Sequence, residues 1–357
     1  MRKIISLSLF IGLLMSGCTQ AATPLPPPAA TLPPPRISVV PPTITPTPLP
    51  TYTPVPTKTP TLFPMSIAAM RQGTYPGSDI TIVRELPLGG NYRRYYVYYL
   101  SEGLKIYALL TMPYGDPPEG GWPAIVFNHG YIPPDVYQTT QRYIEYVNQL
   151  ALNKYVVFRI DYRGHDQSEG AASGAYGDPG YQVDVLNALA SLKRHPQVNP
   201  QKIGMWGHSM GGYLTLRAMV IDKEIKAGVI WAGVVGSYSD MLYRWRRSNS
   251  SFTPQPSSRG WRGIWSLEFG SPEENPDFWA SVSANSYLAD LSGPIQLHHG
   301  TKDADVPLEF SQILDQQIKA AGGTVEFYSY QDDNHNISGF FSTAMKRTIA
   351  FYDQYLK

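Results

Sequence analysis

Residues 204–212, GMWGHSMGG, place a serine between glycines directly after a short apolar run. The pentapeptide Gly-x-Ser-x-Gly does not identify a site by itself, because a chain with this much glycine and serine can contain it by chance. It gains meaning only if a strand precedes Ser209, a helix follows it, and an acid and a histidine come later in the chain. The rest of the sequence therefore decides whether Ser209 is a nucleophile or a small residue in a turn.

The sequence on either side of Ser209 predicts both of these elements. KIGMWG (202–207) is typical of a buried strand, and YLTLRAMVI (213–221) predicts a helix. A sharp turn between them would lift the serine hydroxyl clear of the sheet. Gly207 and Gly211 would be required there, because side chains at these positions would collide across the turn. The pattern therefore predicts a nucleophile turn at Ser209.

Strands and helices alternate through most of the remaining chain. The predicted strands are a Tyr-rich hairpin over 92–113 and further segments at 123–130, 155–164, 202–207, 227–233, 295–300 and 324–330. The predicted helices cover 138–152, 183–194, 213–221, 310–322 and 342–356. This alternation predicts an α/β fold with a mostly parallel central sheet covered by helices on both faces. Binding sites in such sheets form at the carboxyl ends of the strands.

A candidate acid and a candidate base follow Ser209 in the order that this kind of turn requires. The segment HHGTKDADVP offers Asp303 and Asp305 after a predicted strand. Asp303 is preferred because it lies three residues past the glycine that ends the strand, whereas Asp305 suits a turn or a helix cap. His335 is the one histidine that follows this segment, so it is the predicted base that activates the serine hydroxyl.

An oxyanion hole needs two preorganised N–H donors near the nucleophile. The amide of Met210, directly after Ser209, is one candidate, and the amide of Tyr131 in the loop after FNHG is the other. His129 in that loop is interpreted as a residue that shapes the backbone. The sequence contains no metal-ligand spacing, so we expect neither a metal nor an organic cofactor.

The segments GHSMGG, HGTKDADVPLEFSQILDQQI and YQDDNHNI resemble the catalytic domain of the prolyl oligopeptidase family of serine peptidases. The segment FGSPEENPDFWASVSANSYLADLSGPI is also similar to the part that precedes the acid in that family. The resemblance covers roughly residues 90–357. It implies an α/β-hydrolase fold, with Ser209 as nucleophile, Asp303 as acid and His335 as base. Large members carry a β-propeller before this domain, whereas this chain has a proline-rich stretch in that place.

Residues 236–286 are expected to form a cap inserted over the site. The segment contains Tyr238, Tyr243, Trp245, Phe252, Trp261, Trp265, Phe269 and Trp279, together with Arg244, Arg246, Arg247, Arg259 and Arg262. One interpretation is an aromatic pocket with an arginine for a carboxylate-bearing substrate. The other is a packed lid with a solvated basic face, which is preferred for the arginines. An aromatic pocket is preferred for some of the rings.

The amino terminus has the layout of an export signal. Arg2 and Lys3 precede a mostly apolar run over residues 4–15, which is short for a membrane span. The following MSGC resembles a bacterial lipobox and ends at Cys18, the only cysteine of the chain. This resemblance implies cleavage before Cys18 and lipidation of its sulfur. The alternative is an ordinary signal peptide that is cut near the alanines at 21 and 22.

Three segments with different compositions are therefore expected. Residues 1–17 form a signal peptide, 18–64 a lipid-anchored, disordered stalk rich in proline and threonine, and 65–357 the catalytic domain. The dense prolines exclude a helix or a central strand from the stalk. The formal net charge is +1, and no long basic run is present, so nucleic acid is not an expected partner.

The predicted function is an exported serine hydrolase at the cell surface, acting through an acyl-enzyme on Ser209. Its substrates are expected to be short peptides, as the family resemblance implies. A carboxylesterase acting on small acyl esters is the alternative, which the missing propeller favours. A non-catalytic surface-binding module is an alternative of another class, although an intact Ser, Asp and His set argues against it.

Overall fold

The computed structural model describes residues 62–245 and 260–357. The strands are β1 (Thr81–Leu86), β2 (Tyr92–Ser101), β3 (Leu104–Pro113), β4 (Trp122–Asn128), β5 (Val156–Ile160), β6 (Val198–His208), β7 (Gly228–Trp231), β8 (Ile295–Gly300) and β9 (Val325–Tyr330). The helices are α1 (Ile67–Gln72), α2 (Ile144–Leu152), α3 (Gly180–Lys193), α4 (Met210–Ile221), α5 (Tyr238–Tyr243), α6 (Trp261–Phe269), α7 (Pro276–Val282), α8 (Leu308–Ala320) and α9 (Phe341–Leu356). A 3₁₀ helix spans Ala284–Asp290.

The described strands form one sheet in the order β1-β2-β3-β5-β4-β6-β7-β8-β9. Pairing is antiparallel from β1 to β5 along this order and parallel between all the later neighbours. The predicted hairpin, the predicted parallel strands and the fold class are therefore confirmed. Strand β1 was not predicted, because most of its residues are exposed and its sequence lacks an apolar pattern.

Helices cover both faces of the sheet, as the sequence predicts. Successive side chains of a strand point to opposite faces of the sheet. Neighbouring residues of β4 therefore lie in different cores. Val126 lies in the core under α3, α4 and α8, whereas Phe127 lies in the core under α2 and α9. Nearly all residues of α3 and α4 are buried, whereas the strand ends between the two layers remain free to carry polar side chains.

The described part of the expected cap forms α5, α6, α7 and the start of the 3₁₀ helix. Trp265 and Trp279 are buried and extend the core under α3 and α4. Trp265 stacks on Tyr238 with 5.1 Å between ring centroids, and the hydroxyl of Tyr238 lies 2.6 Å from that of Tyr213 in α4. These rings pack against one another and fix the segment to the sheet. Phe252, Arg246, Arg247 and Arg259 lie outside the described residues.

The signal peptide, Cys18 and most of the stalk also lie outside the described residues. Within 62–245 and 260–357, no helix combines the length and the apolar character that crossing a membrane would require.

Candidate active site

Ser209 occupies the turn between β6 and α4, as predicted. Its backbone has φ 56° and ψ −117°, a combination that is strained for a residue with a Cβ. Hydrogen bonds fix the turn: the N–H of Ser209 donates to the carbonyl of Trp231 (3.0 Å), and its carbonyl accepts from Gly212 (3.0 Å) and Val234 (3.1 Å). The neighbouring strand β7 and the loop that follows it therefore hold the strain in place.

The two glycines of the motif are required by close backbone contacts. A Cβ at Gly207 would overlap the carbonyl of Gly211, which is the collision across the turn that the sequence predicts. A Cβ at Gly211 would instead overlap the carbonyl of Asn128 at the end of β4. Gly211 therefore allows the nucleophile turn to approach the loop that was predicted to supply an oxyanion donor.

The structure brings Asp303 and His335 together. Asp303 follows β8 and His335 follows β9, and His335 Nδ1 lies 2.7 Å from Asp303 Oδ2. Backbone hydrogen bonds join the two loops, because Thr301 N–H donates to Tyr330 (2.9 Å) and Lys302 N–H donates to Asp333 (2.8 Å). The parallel pairing of β8 and β9 thus continues into the loops and sets the separation of the two side chains.

The carboxyl of Asp303 is fully buried and is held as an anion. Burial acts against ionisation, but hydrogen bonds from His299 (3.1 Å) and His335 outweigh it and lower the pKa of Asp303. Its other oxygen accepts from the N–H groups of Asp305 (2.8 Å) and Val306 (3.0 Å). Because an ionised carboxylate only accepts, His335 Nδ1 must carry a proton, which leaves Nε2 as the acceptor in the neutral ring.

Ser209 and His335 line the same cleft, which has a volume of about 550 Å³. Its lining residues are Gly130, Tyr131, Ile132, Pro133, Val136, Arg142, Tyr143, Tyr146, His208, Ser209, His335 and Asn336. Asp305, the alternative acid, is exposed, whereas the side chain of Asp303 is buried against His335. The geometry therefore favours Asp303, as the sequence does.

Of the two predicted oxyanion donors, Tyr131 lines this cleft, and Met210 directly follows Ser209, which also lines it. Met210 is the first residue of α4, so its N–H has no acceptor within the helix. The carbonyl of Gly130 accepts from Nδ1 of the buried His129 (2.7 Å). The C=O and N–H of a trans peptide point in opposite directions, so this bond turns the Tyr131 N–H away from His129. His129 thus shapes the loop, which agrees with its interpretation from the sequence.

His208 and Tyr143 join the three loops around the nucleophile, and the sequence did not reveal this role. His208 Nε2 lies 3.0 Å from the carbonyl of His335, and Nδ1 lies 2.7 Å from the hydroxyl of Tyr143. That hydroxyl also accepts the N–H of Gly130 (2.9 Å). Burial, followed by the nearby charge of His335, lowers the pKa of His208 to about 3, so its ring is neutral.

The directions of these hydrogen bonds follow from the chemistry of the partners. A carbonyl only accepts, so His208 Nε2 carries the proton and Nδ1 accepts from Tyr143. Both ring nitrogens of His208 are thus occupied, and His208 does not compete with His335 for the proton of Ser209. No feature of the sequence indicates these partners of His208.

The arginines of the described cap do not line the cleft. Arg244 forms an ion pair with Asp240 (3.5 Å), and Arg262 lies over the rings of Trp245 (5.1 Å) and Trp261 (4.7 Å). This arrangement fits the interpretation of the arginines as part of a packed lid with a solvated basic face. The described cap aromatics are likewise absent from the lining of the cleft, so the predicted aromatic pocket is not formed by them. Arg142, which the sequence analysis did not single out, is the arginine of the described cleft.

Asp303, Asp305 and His335 bring three possible metal-ligand atoms within 4.8 Å of one another. The same Asp303 carboxylate already accepts hydrogen bonds from His335 and from two backbone amides. These contacts account for the cluster as part of an acid–base pair, so we infer no metal from it.

Two comparisons with known sequences place the chain among its relatives. A profile described as "Prolyl oligopeptidase family" matches residues 143–357, a range that contains Ser209, Asp303 and His335. The chain is also similar to the uncharacterized peptidase YtmA of Bacillus subtilis (strain 168). The two are 27% identical over 244 residues, which covers 68% of this chain and 86% of that protein.

Solved structures with the same fold include an esterase and a peptidase. The acetyl xylan esterase from Paenibacillus sp. R4 matches with a TM-score of 0.61 at 20% identity, over 81% of this chain and 92% of its own. The acylaminoacyl peptidase of Pyrococcus horikoshii matches with a TM-score of 0.57 at 24% identity, over 75% of this chain and 42% of its own. At these identities the likeness shows the fold alone, and the predicted α/β-hydrolase fold is confirmed.

Proposed function

Because this chain belongs to the prolyl oligopeptidase family and is a serine hydrolase, we propose that it cleaves short peptides through an acyl-enzyme on Ser209. The observation that carries this proposal is the 2.7 Å contact between His335 and the buried anion of Asp303, in the cleft that also holds the strained Ser209. Membership of this family argues against the non-catalytic binding module.

In the proposed reaction His335 Nε2 accepts the proton of the Ser209 hydroxyl as its oxygen attacks the carbonyl carbon of the substrate. The amides of Met210 and Tyr131 stabilise the negative oxygen that forms. His335 then gives the proton to the leaving group, and the acyl group remains on Ser209. Water, activated by the same histidine, hydrolyses this ester and restores the free serine. Asp303 holds the tautomer of His335 throughout and stabilises its cation.

A carboxylesterase is the second candidate, and the lining of the cleft favours it. None of the described residues that line the cleft is an aspartate or a glutamate. The described cleft therefore offers no carboxylate to hold the free amine of a peptide. An ester also has a better leaving group than an amide, so it needs less help from His335 in the second proton transfer.

The two candidates are separated by kcat/KM on matched chromogenic substrates. Short-chain p-nitrophenyl esters are compared with aminoacyl and dipeptidyl p-nitroanilides, with Ser209→Ala as the blank. We expect Ser209-dependent cleavage of anilides within a few orders of magnitude of the ester rate. Strong ester turnover with negligible anilide cleavage would instead assign a carboxylesterase, and the peptidase proposal would be withdrawn.

We also propose that the protein is exported and anchored to a membrane by a lipid on Cys18. The proposal is supported by the order of basic residues, apolar run and MSGC in residues 2–18. Cys18→Ser should move the full-length protein from the membrane fraction to the soluble fraction while specific activity stays unchanged. Retention of the variant in membranes would contradict lipidation at this position. Replacing a nearby polar residue, Gln20→Ser, provides the matched control.

A further inference from the structure

We propose that Arg142 forms a carboxylate-binding subsite in the active-site cleft, so that preferred substrates carry an anionic group near the bond that is cleaved. The proposal rests on the proposed function, because it assumes that Ser209 attacks a substrate bound in this cleft. It adds the chemical class of the substrate, which the catalytic residues themselves do not determine.

Arg142 is a free cation in the wall of the cleft. The residue is exposed and lines the same cleft as Ser209 and His335. Within the described ranges its guanidinium forms no ion pair and donates no hydrogen bond. Other arginines are paired with acids, for example Arg163 with Asp184 at 2.8 Å. The guanidinium of Arg142 is therefore available to a ligand.

The backbone at Arg142 is strained, and a buried arginine supports it by hydrogen bonds. Arg142 has φ 59° and Tyr143 has φ 50°, both in the left-handed region. This region is unfavourable for a residue with a side chain, because its Cβ lies too close to the following carbonyl oxygen. The buried guanidinium of Arg159 compensates by donating to the carbonyls of Gln141 (2.7 Å) and Arg142. Strained backbone of this kind concentrates at functional sites. Here a buried side chain holds two consecutive strained residues in place.

The surroundings of Arg142 favour a carboxylate as its ligand. Ile132, Pro133 and Val136 form an apolar part of the same lining, and their side chains offer no hydrogen-bonding group that would compete for an anion. Asp303, the carboxylate that contacts His335, is buried and engaged with that ring. A planar guanidinium can donate two parallel hydrogen bonds to a carboxylate. The cleft therefore combines an apolar wall, one free cation and no competing anion among its described lining residues.

The carboxylate can belong to either side of the cleaved bond. On the acyl side it would come from a dicarboxylic acid, and on the leaving-group side it would be the carboxyl terminus of a short peptide. Both sources present the same group to Arg142, so the experiment contains one arm for each of them.

The first arm compares p-nitrophenyl hydrogen adipate with the p-nitrophenyl ester of methyl adipate, which differ by one charge. The second arm compares a short peptide that has a free carboxyl terminus with the same peptide as its amide. Wild type should favour the anionic member of at least one pair. Arg142→Gln should raise KM for that member by about tenfold and leave its neutral partner within about twofold, since a hydrogen bond to a charged group is lost.

Two further variants make the result specific. Arg142→Lys keeps the charge but loses the paired donors, so it should retain part of the preference. Arg93→Gln removes a positive charge from an exposed position on β2, outside the cleft lining, and should change neither pair. Glutamine at position 142 leaves the backbone strain as it is, and turnover of the neutral ester reports directly that each variant is folded.

Equal turnover of the anionic and neutral members by wild type, in both arms, would overturn the subsite. An equal effect of Arg142→Gln on both members of a pair would also overturn it. In either case Ser209-dependent cleavage of the neutral substrates would leave the proposed hydrolase function intact. Cleavage that continues in Ser209→Ala would instead contradict the proposed function itself.

Discussion

Ser209→Ala should lower kcat/KM by about 10⁴-fold or more on every substrate that the protein cleaves. In the proposed mechanism, alanine removes the oxygen that would form the acyl-enzyme, while the Met210 and Tyr131 amides would remain able to polarise a bound carbonyl. Residual activity should therefore exceed that of water alone, but it should no longer pass through a covalent intermediate. The measurement is steady-state kinetics, combined with labelling of the protein by a fluorophosphonate probe.

The turn should survive this substitution. Alanine has the Cβ that serine has, so it meets the same strain at φ 56°, and the backbone hydrogen bonds to Trp231, Gly212 and Val234 do not involve the hydroxyl. Thermal unfolding should therefore be nearly unchanged. Ser286→Ala, at an exposed position in the 3₁₀ helix, serves as the matched control with full activity. Probe labelling of Ser209→Ala at the wild-type rate would contradict the assignment of this nucleophile.

Asp303→Asn should have the second largest effect, a loss of about 10⁴-fold in kcat. The side-chain amide can donate a hydrogen bond to His335 Nδ1, which favours the tautomer that carries the proton on Nε2. That nitrogen then has no lone pair for the proton of Ser209. The change is nearly isosteric, so the comparison measures chemistry more than packing.

The lowered pKa of Asp303 predicts how the stability and the activity of the wild-type protein depend on pH. The folded protein lowers this pKa, so the anion contributes stability above the pKa of the unfolded chain, and that contribution is lost as the pH falls through the lower folded value. Wild-type activity between pH 6 and 9 should therefore show no step that belongs to Asp303. Asp305→Asn is the comparison variant, because Asp305 is the alternative acid and is exposed, whereas Asp303 is buried against His335. A larger loss in Asp305→Asn than in Asp303→Asn would reverse the choice between the two acids.

The central strands could be predicted because they are buried on both faces. Strands such as β5 and β7 appear in the sequence as mostly apolar runs, and each of their residues is buried in the structure. Strand β1 lies at the outer edge with most of its residues exposed, so its sequence has no comparable pattern. The apolar pattern thus predicts burial, and it predicts strands only to the extent that strands are buried.

Ser209, Asp303 and His335 could be proposed from the sequence because each of them follows a predicted strand, and parallel strands bring their carboxyl ends together. The contact between Tyr143 and His208 could not be predicted in this way, because the two residues are 65 positions apart and Tyr143 adopts a left-handed backbone conformation. Arg142 depends on the same turn, and its support comes from Arg159, which lies within a buried apolar strand. Backbone conformations of this kind leave no periodic signal in the sequence.

The position of β9 has a consequence for how the protein loses activity. Among the described strands it is the last in the sheet and pairs with β8 alone, yet the loop that follows it carries His335. Edge strands open at a lower free energy than central strands, because fewer contacts must be broken. A brief detachment of β9 would withdraw the base while the turn that carries Ser209 stays formed between β6 and α4. Under mild heat or denaturant, catalysis is therefore a more sensitive reporter of this edge than any spectroscopic signal from the whole sheet.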